Sequence, residues 1–327
     1  MYLVTGGAGF IGSHVARALA GRGERVAICD WLGMAEKWRN LAKHEIEDFI
    51  SPDALMRWLG EHAGRLGGIV HMGAISATTE TDGDRILEHN FRLSAALWAW
   101  CAEQRCPLIY ASSAATYGDG SAGFDDRLDR AGLGRLRPLN LYGWSKHVFD
   151  RRALRAAAEG APSPPKWAGL KFFNVYGPNE YHKGAMQSVI AQHYPKLVAG
   201  EPLRLFRSEN PDYADGGQLR DFVYVEDCVH VILWMLDHEF APGLYNVGTG
   251  RARSWLDLGR AIFRAAGLPE RIEFIDMPEA LAGRYQYVTE ARMEKLRAAG
   301  CGVNFRSLED GVAAYIGGYL SQSDRWM

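Results

Sequence analysis

The feature that most limits what this chain can fold into is a glycine-rich segment, Gly6-Gly7-Ala8-Gly9-Phe10-Ile11-Gly12. A short apolar run, Tyr2 to Thr5, precedes it, and a helical pattern through Val15, Ala16, Leu19 and Ala20 follows. Strand, tight turn and helix in that order let backbone N–H groups approach a pyrophosphate at a helix N-terminus. A second apolar run, Arg25 to Cys29, ends in Asp30, about 20 residues beyond the glycines, where a dinucleotide fold places its ribose-binding carboxylate. Glycine turns also arise for steric reasons alone. The strand before, the helix after and the spaced acid are what point to a nicotinamide dinucleotide site.

Two signals bear on the phosphate state of that cofactor, and they oppose each other. Asp30 can bond both ribose hydroxyls and would repel a 2′-phosphate, which favours NAD. Lys37 and Arg39, a short loop later, could neutralise that phosphate, which favours NADP.

Further along, strand-like and helix-like stretches alternate. Ser51-Pro52 reads as N-cap and first helical residue of a helix through Leu59. Gly68 to Ala74 reads as a buried strand ending in small residues, Asp84 to Gln104 as a long amphipathic helix with Trp98 and Trp100 as packing, and Leu108 to Ser113 as another strand. Gly118 to Pro138 has no period and reads as a loop. Leu170 to Val175 and Phe222 to Val225 read as strands, Val189 to Val198 and Val229 to Leu236 as helices, and Leu244 to Val247 as a strand. Helical stretches near Trp255 to Ala266, Glu290 to Ala299 and Leu308 to Tyr319, with a strand at Ile272 to Ile275, complete a smaller C-terminal unit. This alternation implies an α/β fold: a doubly wound parallel sheet of the Rossmann type with a smaller α/β substrate unit. The expected division is residues 1–173 and 222–248 for the dinucleotide, and 174–221 and 249–327 for the substrate.

Composition narrows the partners. With 327 residues the chain is past the size at which single cores stop growing. A formal charge of −2 gives no basic field for nucleic acid or an anionic membrane surface. Five scattered cysteines without Cys-x-x-Cys spacing predict thiols in a reducing compartment and no metal site. No apolar stretch approaches the ~20 residues of a membrane span. A cytoplasmic protein acting on a small molecule is expected.

Asn140 to Lys146 carries the candidate chemistry. Tyr142 and Lys146 are four apart and share one helix face, and a nearby ammonium favours the phenolate, so Tyr142 is a candidate acid/base at neutral pH.

With the glycine turn, Asp30, Ser113, Tyr142 and Lys146, the chain resembles the extended short-chain dehydrogenase/reductases, and in particular their nucleotide-sugar epimerases. A more specific likeness is to the ADP-glycero-manno-heptose 6-epimerases. It rests on Thr78-Thr79-Glu80, Tyr110 to Gly118, Phe173 to Pro178, His182-Lys183-Gly184, Arg220 to Val225 and Gly283-Arg284-Tyr285-Gln286, and runs from Met1 to about Tyr319. The resemblance implies inversion of one carbon of an ADP-heptose used for the lipopolysaccharide inner core, a tightly held NADP and a homo-oligomer. It implies that Tyr142 exchanges the proton of the reacting hydroxyl, Ser113 bonds the same oxygen, Lys146 holds the nicotinamide ribose and lowers the pKa of Tyr142, and Lys183 is a second acid/base. Two proton-transfer positions suit a ketone that receives its hydride on the opposite face. The implied cofactor residues are Gly6, Gly9, Phe10, Ile11, Gly12, Asp30, Trp31, Lys37, Met72, Gly73, Ala74, Ser76, Asn90, Tyr142, Lys146, Val175 and Lys183. The implied substrate residues are Ser113, Asn174, Ala185, Gln192, Phe206, Arg220 and Tyr285.

This sequence departs from the family pattern at Trp31, Pro52, Met72, Ala185 and Gln192, and in a longer loop at Pro211 to Leu219. Competing readings are a 4-epimerase and a cofactor-sensing binding protein. A 4,6-dehydratase is disfavoured because Ala114-Ala115, not an Asp-Glu pair, follow Ser113.

Overall fold

A computed structural model of the chain describes residues 1–33, 36–278 and 286–327. Its centre is a seven-stranded sheet: β1 (Tyr2–Thr5), β2 (Val26–Cys29), β3 (Asp48–Ile50), β4 (Gly68–His71), β5 (Leu108–Ser113), β6 (Trp167–Phe172) and β7 (Gly243–Val247). Every pair is parallel, and the spatial order is β7-β6-β5-β4-β1-β2-β3. The strands β2, β4, β6 and β7 are buried throughout, and β1 is buried except at Tyr2, as expected of a sheet covered by helices on both faces. The chain leaves β1 in one direction for β2 and β3, then returns to the other side for β4. The switch point between β1 and β4 opens a crevice at their C-terminal ends.

Two local departures from the sequence reading shape that crevice. The stretch Leu170 to Val175 is not one strand. It breaks at Phe173, whose carbonyl accepts a bond from Val175 N at 2.9 Å, and Asn174–Tyr176 then pairs with Phe222–Tyr224 outside the main sheet. The expected helix Asp84 to Gln104 starts at Gly83, capped by Asp82, and runs through a π-helical turn at Leu87–Arg92 before Leu93–Glu103. Such turns often mark functional sites. Trp98 and Trp100 are buried as packing residues.

Smaller differences have local causes. Ser51 makes no side-chain cap bond, and Pro52–Ala54 forms a 3₁₀ turn ahead of the helix Leu55–Glu61. Asp129 caps a short helix, Arg130–Leu133, inside the expected loop. The helix expected near Glu290 to Ala299 is confined to Glu294–Ala298. By contrast, Val189–Val198, Trp255–Ala266 and Ile272–Ile275 form as the pattern predicts. The helix Trp255–Ala266 owes its ends to a capping box between Ser254 and Asp257 and to left-handed Gly267.

Apolar packing divides into a large cluster around the sheet and a smaller one joining Tyr176, Ile190, Leu203, Phe222, Tyr224, Ile262 and Val312. Ala291, Met293, Leu296 and Cys301 pack with the sheet cluster. Among the described residues no helix is long and apolar enough to cross a membrane, and no group of three His, Cys, Asp or Glu side chains could hold a metal ion. All five cysteines are free thiols.

Candidate active site

The crevice is a cleft of about 720 Å³ running from the glycine turn to the break after β6. Its cofactor end is built by the turn after β1. Gly6 has φ of +64°, and a Cβ there would fall 2.6 Å from Gly73 N, so the loops after β1 and β4 approach this closely only because position 6 is glycine. The helix Phe10–Ala20 begins at Gly9 with no side-chain cap and no acid in its first turn, while Gly9, Phe10, Ile11 and Gly12 line the cleft. Its first N–H groups are available to an anion. These residues fit the pyrophosphate of a dinucleotide.

Asp30 sits beside that helix. Its Oδ2 accepts from Ala8 N at 3.0 Å and its Oδ1 from Trp31 N at 2.7 Å. Lys37 Nζ lies 2.6 Å from the same Oδ1 and donates to the Trp31 carbonyl at 2.8 Å. The two residues that pointed to opposite cofactors therefore form one ion pair, and the carboxylate does not face the ribose end as an uncompensated charge. Trp31 packs edge-on against His89, ring centroids 4.9 Å apart. Met72, Gly73, Ala74 and Ser76 line the same wall.

Asn90 does not reach the cleft. It is buried in the π-helical turn, accepts from Ile75 N at 2.8 Å, and donates to Ile75 O and to Ser145 Oγ, each at 3.0 Å. It therefore fastens the loop after β4 to the helix Leu141–Ala158. That helix starts at Asn140, whose side chain accepts from Gly143 N at 2.8 Å.

Tyr142 is half-buried on the cleft wall, which Ser113 also lines. Ser113 Oγ also accepts from Ala115 N at 3.1 Å. Lys146 is buried and is not among the residues that line the cleft. The electrostatics differ from the expectation. Burial raises the Tyr142 phenol above its ordinary value; the Ser113 hydroxyl opposes this, and Asp150 adds to the rise. Burial pushes Lys146 down to about 8, with Asp150 opposing. In the protein alone the tyrosine's shift is set by desolvation, and Lys146 is not among its causes.

Asp150 was missed in the sequence. It lies one helical turn beyond Lys146 and accepts from Tyr110 at 3.0 Å, Ser112 at 2.7 Å and Lys171 at 2.6 Å, with both members of the ion pair fully buried. The available signal was Lys171 inside an apolar strand, where a charge needs a partner.

Another part of the cleft wall comes from the chain after the break at Phe173. Asn174, Val175, His182 and Lys183 line it, with Arg220 from the strand Leu219–Arg220. Lys183 Nζ lies 5.0 Å from the Phe10 ring; burial lowers its pKa, and Glu180 opposes that shift. His182 is held down to about 4 by burial, with Lys37 and Lys183 adding to the effect. Arg220 is buried, with its guanidinium 5.8 Å from the Trp255 ring. Thr289 and Gln286, not anticipated, also line the cleft; Thr289 donates to Asn174 Oδ1 at 3.3 Å.

Ala185, Gln192 and Phe206 are absent from the described lining. Gln192 instead donates to the Ala185 carbonyl at 3.2 Å and to the Gln187 carbonyl at 2.6 Å, so its amide holds the turn that places Gln187 in the cleft. Phe206 closes the strand Leu203–Phe206, paired to Ile275. Tyr285 lies outside the described residues.

Comparison with known proteins places these residues in a family context. Residues 2–248 match the NAD dependent epimerase/dehydratase family. The ADP-L-glycero-D-manno-heptose-6-epimerase of Nitratidesulfovibrio vulgaris (strain DP4) is 51% identical over 331 aligned positions, covering 100% of both chains. Among solved structures, the enzyme of the same name from Helicobacter pylori superposes with a TM-score of 0.79 at 25% identity, covering 97% of this chain and 95% of that one. The UDP-glucose 4-epimerase of Thermus thermophilus, solved in complex with NAD, superposes with a TM-score of 0.74 at 26% identity, covering 97% of each chain.

Proposed function

The chain belongs to the NAD dependent epimerase/dehydratase family and, within it, to the ADP-L-glycero-D-manno-heptose 6-epimerases, and from that premise we propose that it inverts C6 of the heptose in an ADP-glycero-manno-heptose, for the lipopolysaccharide inner core. The observation that carries this reading is that Tyr142, Ser113 and the half-buried Lys183 line one cleft together with the glycine turn that fits a dinucleotide. The nicotinamide, when bound, supplies a reversible hydride acceptor for C6.

The protein's own residues handle the oxygen on C6. Tyr142 exchanges the hydroxyl proton at its phenolic oxygen, and Ser113 Oγ bonds the same substrate oxygen. In the protein alone, burial keeps the phenol protonated at neutral pH, so Tyr142 is set to donate to an oxygen gaining negative charge. Lys146, one helical turn on, is given the nicotinamide ribose by the family resemblance, although in the protein alone it is buried and does not line the cleft. Inversion requires the sugar to present its other face, and the oxygen then needs a second proton-transfer position. Lys183 meets that need, because desolvation brings its ammonium nearer to neutrality than that of an exposed lysine. Arg220 and Asn174 meet the diphosphate and sugar, the arginine offering a fork of donors suited to phosphate. The family resemblance gives Tyr285, Ala185, Gln192 and Phe206 a substrate role as well, while in this structure Gln192 holds the turn beside Gln187 and neither Ala185 nor Phe206 lines the cleft.

The cofactor is a nicotinamide dinucleotide, and we take it to be NADP. Support comes from the Lys37 to Asp30 pair, which offsets the carboxylate that would repel a 2′-phosphate. The division into a dinucleotide unit (1–173 and 222–248) and a substrate unit (174–221 and 249–327), a cytoplasmic location and a homo-oligomeric state complete the reading. The two apolar clusters support the division in outline, although the 291–301 segment packs with the sheet.

The test is substitution at both proton-transfer positions. Tyr142→Phe and Lys183→Met should each remove most turnover on ADP-heptose while purified protein keeps its bound dinucleotide. An active Tyr142→Phe enzyme contradicts the role given to that residue.

A further inference from the structure

Lys37 and Lys183 both line the cleft but belong to separate surface turns, Glu36–Leu41 and Tyr181–Met186. One buried side chain joins them. Asn40 is 1% exposed, and its Nδ2 lies 2.9 Å from the Ala8 carbonyl in the glycine turn, 3.1 Å from the Asn179 carbonyl and 3.3 Å from His182 Nδ1. A single amide thus spans the glycine turn, its own Lys37-bearing turn and the segment that leads into Lys183.

Asn179 completes the joint. It adopts a left-handed backbone, φ +69°, which asparagine tolerates better than most residues, and it is fully buried. Its Nδ2 donates to Ser13 Oγ at 3.0 Å on the helix that follows the glycine turn, and its Oδ1 accepts from Met327 N at 3.0 Å. His14, on the same helix, bonds the Pro178 carbonyl at 3.0 Å. The Lys183 turn is therefore fixed to the dinucleotide helix and not to the sugar-facing elements alone.

We propose that Asn40 is a positioning residue for Lys183, holding the turn that carries this lysine in register with the glycine turn and Lys37, so that the cofactor wall and the second proton-transfer group form one unit. The proposal rests on the reading of Lys183 as an acid/base. Asn40 itself touches no reacting atom. It acts through the turn, and a displacement of about 1 Å at a catalytic group can cost 10²-fold in rate. Asn40→Ala removes the shared donor and leaves the carbonyls of Ala8 and Asn179 without it. Asn40→Ser keeps one donor and is the milder change.

The experiment is steady-state epimerisation at saturating dinucleotide by Asn40→Ala, Asn40→Ser, Lys183→Met and the Asn40→Ala/Lys183→Met double variant. Asn40→Ala should lose about 10- to 100-fold in kcat, with the KM for the ADP-sugar within about twofold and Asn40→Ser lying between it and the parent. In the Lys183→Met background, where no lysine remains to be positioned, Asn40→Ala should cost less than about twofold, the mark of coupled residues. Unchanged kcat in Asn40→Ala, or the same fold loss in both backgrounds, overturns the proposal. Should Asn40→Ala not fold, Asn40→Ser in the two backgrounds carries the same comparison. Full activity of Lys183→Met alone defeats the acid/base reading beneath the proposal, and is told apart from failure at Asn40 by that single variant.

Discussion

Replacing Lys171 with methionine tests whether the active-site wall depends on the charge pair behind it. Lys171 and Asp150 are both fully buried, 2.6 Å apart, and the Asp150 carboxylate also receives the hydroxyls of Tyr110 and Ser112. Methionine fills much of the same volume but leaves Asp150 without its cation. Removing one partner of a buried pair typically costs ~3–5 kcal/mol, because the remaining charge stays desolvated. At about 2.1 cal/mol/K per residue, unfolding 327 residues has an entropy of about 0.7 kcal/mol/K, so Tm should fall by about 4–7 °C. Asp150→Asn in the same chain keeps a group for the two hydroxyls and removes the stranded charge, so the double variant should recover at least half of that loss. Calorimetry at neutral pH with the dinucleotide bound reads both numbers. A single variant within ~1.5 °C of the parent, or a double variant no more stable than the single, refutes the assignment of this pair as a stabilising element under Ser113 and Tyr142.

Three further outcomes follow from the same geometry. Lys37→Ala should weaken NADP binding by at least about tenfold while changing NAD binding far less, since a phosphate contact of this kind contributes on the order of 1.5–3 kcal/mol; equal effects on both dinucleotides contradict the role given to Lys37. His14, His71 and His147 are buried, with pKa values pushed down by desolvation to about 4, about 3 and about 4. The unfolded chain binds more protons than the native one between those values and about 6.5, so stability is complete above pH ~6.5 and falls as pH drops through 6 toward 4. His71→Asn should make that fall shallower in a series of denaturant titrations, and an unchanged slope counts against a neutral buried His71. Asn90→Ala removes the bonds to both backbone groups of Ile75 and to Ser145. It should lower dinucleotide affinity severalfold, read by fluorescence titration, whereas unaltered affinity would make Asn90 a packing residue only.

What the sequence revealed depended on whether a signal was local. The glycine turn, the helix Val189–Val198 and the box-capped helix Trp255–Ala266 each carry their determinants within a few residues, and each forms where the pattern places it. The break at Phe173 was hidden, because Leu170 to Val175 is uniformly strand-like and only pairing with Phe222–Tyr224 draws Asn174 to Tyr176 out of the sheet. The π-helical turn at Asn90 was hidden too: the partners of its buried amide, Ile75 and Ser145, are remote in sequence. At the site, spacing could bring Tyr142 and Lys146 to one helix, but it could not weigh burial against charge. The structure has burial prevailing at both, which reverses the expected direction for the tyrosine. The sequence also could not show that Lys37 and Asp30 form an ion pair across a turn.

The central claim is that Tyr142 and Lys183 serve an inversion at C6 in which the hydride never leaves the protein. Proton NMR of ADP-D-glycero-D-manno-heptose incubated with purified protein in deuterated water, without added reductant, tests it most directly. The account predicts growth of the C6 epimer to equilibrium with the C6 hydrogen still protium. A sugar left unchanged with dinucleotide bound, inversion at another carbon, or deuterium at C6 would contradict it.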